Sequence, residues 1–100
     1  MRRGVQVSGP ASDELTAAIR WYEAQRPGLG AELFDAVTAT IEDIERQPEI
    51  GTAAYPDPQT RRVLVSRFPY QVVYHLAEDQ IEVVAIAHLK RRPGYWKHRG

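Results

Sequence analysis

From Val83 to Ala87 the chain reads Val-Val-Ala-Ile-Ala, apolar at every position. A strand with one wet face alternates apolar and polar residues. An unbroken apolar run therefore predicts a central strand, covered on both sides over part of its length. The flanking residues supply its partners. Strands are predicted at Arg61–Arg67, Tyr70–Leu76 and Gln80–His88, with Ala77-Glu78-Asp79-Gln80 as a hairpin turn between the last two. Phe68-Pro69 predicts a bend or bulge between the first two.

Upstream, the pattern changes from strand to helix. Gly4–Val7 is long enough only for a small strand. Ser8 or Ser12 can cap a helix that Pro10 tolerates in its first turn, and Asp13 and Glu14 suit its positive end. Ala11, Leu15, Ala18, Ile19 and Tyr22 then fall on one stripe. Arg26-Pro27-Gly28 stops that helix. Leu33, Val37, Ile41 and Ile44 mark a second one, which ends at Gln47-Pro48. The short link predicts an antiparallel hairpin whose narrow stripes both need the sheet. Glu49–Thr60, with Pro56 and Pro58, reads as an irregular loop free of Lys and Arg. The expected fold is α+β, in the order β-α-α-β-β-β, with the helical hairpin on one face of a small antiparallel sheet. One hundred residues make a single domain, 1–100, with one modest core.

Composition excludes more than it assigns. No apolar run approaches the roughly 18 residues of a membrane span. No apolar segment follows Arg2-Arg3, so neither a signal peptide nor a membrane association is expected. There is no cysteine, and the three His have no carboxylates at ligand spacing, so neither a metal nor a cofactor is expected. A cytoplasmic protein fits these features. The net charge of zero conceals two unequal halves. Residues 1–60 carry five Arg against ten acids, a net −5, and residues 61–100 carry eight Lys or Arg against three acids, a net +5. The halves either attract each other across the core or leave a basic surface for an acidic partner.

The candidate site is the cationic, aromatic tail behind the last strand, His88-Leu89-Lys90-Arg91-Arg92-Pro93-Gly94-Tyr95-Trp96. His88 can serve as acid or base near neutral pH. Arg91 and Arg92 can hold phosphates or carboxylates, and Tyr95 can donate a proton or stack. Equally, His88 can be a capped strand end, while Tyr95 and Trp96 fold back over the core edge. Alternation places Arg61 and Arg67 with Val63 and Val65, and Arg62 with Leu64. These arginines either rim the same surface as the tail or merely guard an edge strand.

Taken together, these residues resemble the RelE/ParE toxins of bacterial type II toxin–antitoxin modules, also called plasmid stabilisation proteins. The resemblance spans nearly the whole chain. It rests on the Tyr22 helix, Ile41–Pro48, Arg61-Arg62, Phe68-Pro69-Tyr70 with Val73-Tyr74, and Ala85-Ile86-Ala87-His88 followed by Arg91-Arg92-Pro93 and Trp96. It implies a toxin neutralised by a cognate antitoxin, with operator DNA bound only through that antitoxin. RelE-like members cut messenger RNA on the ribosome; ParE-like members poison DNA gyrase. The cation-free Pro48–Thr60 stretch and the His-x-x-Arg-Arg-Pro ending resemble the ParE side. On that reading Arg61, Arg62, Arg67, Lys90, Arg91, Arg92 and Trp96 form a target- or antitoxin-binding surface. The alternative is a metal-free ribosome-dependent endoribonuclease, with His88, Arg91 and Tyr95 as catalytic residues assisted by Arg61. A degenerate member that only binds its antitoxin is the third reading.

Overall fold

A computed structural model of the chain describes residues 4–54 and 57–99. Strand β1 (Gly4–Val7) leads into helices α1 (Gly9–Gln25) and α2 (Leu29–Arg46). Strands β2 (Thr52–Ala54), β3 (Asp57–Leu64), β4 (Tyr70–Leu76) and β5 (Gln80–His88) follow. They form one sheet in the order β1-β5-β4-β3-β2. The α+β architecture with a helical hairpin on one face is as expected.

Local chemistry explains the hairpin. Ser8 caps α1, its hydroxyl accepting the Ala11 N–H at 3.2 Å. At the other end, Gly28 takes a left-handed φ of 91°, which only glycine adopts at little steric cost. The Glu23 carboxylate accepts the N–H groups of Gly28 and Gly30 at 3.0 Å. One side chain of α1 thus satisfies donors at the start of α2, where a negative charge is favoured. Gly30, Leu33, Val37, Thr40 and Ile44 form the buried stripe of α2. With Ala11 and Ala18 of α1, the apolar members pack on Val72, Tyr74, Ile81, Val83 and Ile86 of the sheet.

The opposite face has a smaller cover. Val73, Val84, Ala85 and Ala87 lie under Trp96, which is 8% exposed, with Tyr95 alongside. The register shifts between Val73 and Tyr74: Tyr74 pairs with Val83 and Val73 with Ala85, so Val84 bulges. The apolar run of β5 is therefore buried throughout, helices on one side and the tail on the other. Trp96 folds back on the core.

Three sequence expectations change. First, the sheet is mixed: β1 runs parallel to β5, Gly4 opposite Gln80. The helical hairpin carries the chain across the sheet to start a four-stranded antiparallel meander, whose last strand returns beside β1. Second, Glu49–Thr60 is not wholly a loop, since β2 and the start of β3 pair there with an irregular register. Prolines masked this strand. Pairing of β3 with β4 runs from Thr60, opposite His75, to Leu64, opposite Gln71. Tyr55 and Pro56 lie outside the described residues. Third, β3 ends at Leu64, so Arg67 is not a strand residue sharing a face with Val63. It sits in the β3–β4 connection at φ 73°, its guanidinium 2.7 Å from Glu32 of α2. The bend expected at Phe68-Pro69 is present, in a connection where the Val65 N–H donates to the Tyr70 carbonyl at 2.9 Å, and a separate bulge lies at the β4–β5 register shift. Among the described residues, no helix is long and apolar enough to cross a membrane.

Candidate functional site

β1 covers the outer edge of β5 only from Gln80 to Val83, and the Ser8 N–H extends that ladder by one bond to the Val83 carbonyl at 2.9 Å. Beyond it, side chains replace the missing strand. Glu14 Oε1 accepts the Ile86 N–H at 3.0 Å. Arg99 Nη1 donates to the Val84 carbonyl at 3.1 Å and to Glu14 Oε1 at 3.0 Å. The Tyr95 hydroxyl donates to Glu14 Oε2 at 2.7 Å. The Glu14 side chain is 16% exposed and carries a compensating charge and three donors, as a carboxylate out of water requires. Burial, with the bond to Glu14, pushes the Tyr95 hydroxyl well above the ordinary tyrosine range.

This knot holds the tail on the β5 edge and shapes a groove of about 410 Å³ between α1 and the end of β5. Ala17, Ala18, Trp21 and Tyr22 form one wall, and Tyr70, Ile86, His88 and Arg91 the other. On the other side of the tail lies a second, more polar hollow of about 590 Å³. There Arg62 and Leu64 of β3 face Leu89, Arg91 and Pro93. Leu64 is 66% exposed and Leu89 48%. Arg91 lines both hollows, its guanidinium 4.0 Å from the Tyr95 ring centre. Arg62, Lys90, Arg91 and Arg92 make no ion pair among the described residues. Among the described residues, the ion pairs that join the basic half to the acidic half are Arg67 with Glu32 and Arg99 with Glu14.

The predicted site residues therefore divide. His88, Arg91 and Tyr95 are neighbours. His88 Nδ1 accepts the Lys90 N–H at 3.0 Å, which leaves the proton of the neutral ring on Nε2. Arg62 joins Arg91 across the second hollow. Arg61 lies elsewhere: it pairs with Tyr74, whereas His88 pairs with Tyr70 four residues along β4, about 13 Å away. Its guanidinium donates to the carbonyls of Gly51 at 2.8 Å and Glu49 at 3.3 Å. There it works with Tyr74, whose hydroxyl accepts the Gly51 N–H and donates to the Pro48 carbonyl. A Cβ on Gly51 would come within 2.6 Å of that hydroxyl, so the loop needs glycine for close approach. Glu14, Trp21, Tyr70 and Arg99 were absent from the sequence candidates. One of two adjacent acids in the second turn of a helix, an exposed indole and an arginine near the end of the chain carry no spacing signal of their own.

The chain matches the model of the ParE toxin of the type II toxin–antitoxin system parDE over residues 5–93. It belongs to the ParE toxin family. A solved structure described as the chromosomal ParDE TA system from P. aeruginosa has the same fold, with a TM-score of 0.75 at 14% identity, covering 86% of this chain and 95% of the other. No curated protein matches. As a ParE toxin, the chain joins a family named for its partnership with an antitoxin, and Arg62 and Arg91, without an ion pair among the described residues, line the hollows beside the tail. Under the RelE-like reading, His88 and Tyr95 would move protons. Here the basic nitrogen of neutral His88 already accepts a bond, and Tyr95 holds its proton against a carboxylate.

Proposed function

We propose that this ParE-family chain is the toxin of a type II module that inhibits DNA gyrase by binding, without catalysing a reaction, and that a cognate antitoxin neutralises it in the cytoplasm. The observation that carries this reading is the occupation of the two proton-transfer groups. A general base for the 2′-hydroxyl needs a free lone pair within reach. His88 offers an Nε2–H instead, because Lys90 occupies Nδ1. A general acid needs a proton it can release, and the Tyr95 proton is held by burial and by Glu14. The cations then form a binding surface. Arg62, Lys90, Arg91 and Arg92, with exposed Leu64 and Leu89, suit an acidic, amphipathic antitoxin segment on the sheet face beside the tail. Operator DNA would be bound only through the antitoxin.

The test is a paired assay with purified protein. Gyrase supercoiling should stop, or cleaved DNA should accumulate, while messenger RNA on ribosomes stays intact. Addition of the antitoxin encoded beside it should restore supercoiling. Defined transcript cleavage with untouched supercoiling would overturn the proposal and assign His88, Arg91 and Tyr95 to catalysis.

A further inference from the structure

The groove between α1 and the end of β5 has a chemistry that toxin–antitoxin pairing does not require. Four rings run along it in edge-to-face contact. Trp21 meets Tyr22 at 4.9 Å between centres, Tyr22 meets Tyr70 at 6.3 Å, and Tyr70 meets His88 at 5.0 Å. Successive rings are turned by 87°, 64° and 79°, so neighbouring rings point edges and faces in different directions. Trp21 is 59% exposed although it is the largest side chain of α1. Burial would stabilise an indole, so the fold leaves unused an area that a ligand can cover. Small residues, Ala17 and Ala18, open the wall of α1 beside it.

Polarity is added at one end only. Arg91 has no carboxylate partner among the described residues, and neutral His88 retains an Nε2–H donor. The one acid in the lining, Glu14, is neutralised by Arg99 and fully engaged by Ile86 and Tyr95. An aliphatic side chain would use the rings and leave the cation idle. A bare anion would do the reverse. A flat aromatic body carrying an anionic group uses both, and a volume of about 410 Å³ lies within the usual range for small-ligand sites.

We propose that this groove binds a nucleobase bearing a phosphate, with the base on the Trp21–Tyr22–Tyr70 rings and the phosphate toward Arg91 and His88. Base–aromatic stacking tolerates any base, because every base has a π face. Guanidinium binds phosphate oxygens in bidentate fashion. Two sources share this chemistry: a free nucleotide, and one residue of a single strand.

The experiment follows Trp21 fluorescence on titration of the full chain with adenosine 5′-monophosphate, adenosine, ribose 5-phosphate and a thymidine dodecamer. Trp96 is buried and serves as a constant background. The monophosphate or the dodecamer should quench, and the tighter of the two identifies the source. Adenosine and ribose 5-phosphate, each lacking one half of the ligand, should bind at least about tenfold more weakly than the monophosphate. By calorimetry, Trp21→Ala should weaken binding by about 5- to 150-fold, the equivalent of one lost stack. Arg91→Ala should weaken it and flatten its salt dependence. Both side chains are exposed, so circular dichroism should stay unchanged. No quenching by either probe at millimolar concentration, ribose 5-phosphate binding as well as the monophosphate, or full affinity in Trp21→Ala would each overturn the site. None of these outcomes bears on gyrase inhibition, which the supercoiling assay reads separately.

Discussion

The two faces of the sheet are built to different standards. On the helix side, twelve buried residues from α1, α2, strands β4 and β5 and the β3–β4 connection form one cluster. On the tail side, four small strand residues lie under a single indole, with Arg62, Leu64 and Leu89 open to solvent beside them. Hydrophobic stabilisation grows with apolar area removed from water, so most of the folding free energy lies on the first face. The second face combines a local cover, held by polar contacts at the β5 edge, with an apolar and cationic surface. That separation allows the binding surface to change while the core stays intact.

The sharpest way to break this comparison is at Tyr74, which is fully buried on the helix side and also closes the Pro48–Gly51 loop. Tyr74→Ala removes an aromatic side chain, at about 3–5 kcal/mol, and leaves loop groups without partners. Against a typical stability of about 5–15 kcal/mol, much of the variant should be unfolded or close to it, as urea melts would show. A loss below about 1 kcal/mol would mean that the helix side is not the dominant core.

Trp96→Ala tests the tail side. Its cost should fall near the low end of the same range, about 3 kcal/mol, because the residues beneath the indole are small. The distribution of the loss matters more than its size. Hydrogen exchange should rise in the tail and in the outer half of β5, while α2 and β4 keep their protection. Uniform loss across the chain would show that the two faces form one cooperative unit.

Alkaline pH sharpens the comparison further. Burial raises the ionisation of Tyr70, Tyr74 and Tyr95, and for Tyr95 the Glu14 carboxylate adds to it. A folded value above the unfolded one, about 10, means that the folded state holds the proton longer. These groups contribute fully below about pH 10, and their contribution is lost as pH rises through the folded values. Stability should therefore fall above pH 10. Tyr95→Phe and Glu14→Gln should both make the decline shallower, because each removes a cause of the Tyr95 shift. An unchanged slope in both variants would place the alkaline loss on the helix side, at Tyr70 and Tyr74.

The sequence made the larger elements legible because their patterns are long. The α2 stripe repeats over 18 residues, and the Val83–Ala87 run excludes a half-exposed strand. The toxin family was legible as well, from the order of several short motifs. What escaped was set by contacts between distant residues. β2 is three residues long and paired across prolines, so it has no period to detect. Arg61 lies in the right strand but turns toward Gly51, a choice fixed by the loop and not by alternation alone. Glu14 meets Tyr95 and Arg99 across more than eighty residues of sequence, and nothing local marks it as the anchor of the tail.

The smallest effect on stability belongs to the open part of the tail side, and it decides whether that surface is free for a partner. Leu64 is paired in β3 but leaves most of its side chain in water, in the hollow it shares with Arg62 and Arg91. Truncating such a side chain removes little buried area, so Leu64→Ala should change stability by no more than about 0.5 kcal/mol. The same variant should speed dissociation of the antitoxin, since apolar anchors at an interface act mainly through the off-rate. Arg62→Ala should instead slow association, with an effect that shrinks as salt is raised, because exposed charges steer encounter over about a Debye length. The two variants thus separate contact from steering. If Leu64→Ala leaves dissociation unchanged and Arg62→Ala leaves association unchanged at low salt, the antitoxin does not sit on this face. The contrast between the two sides of the sheet would then describe stability alone.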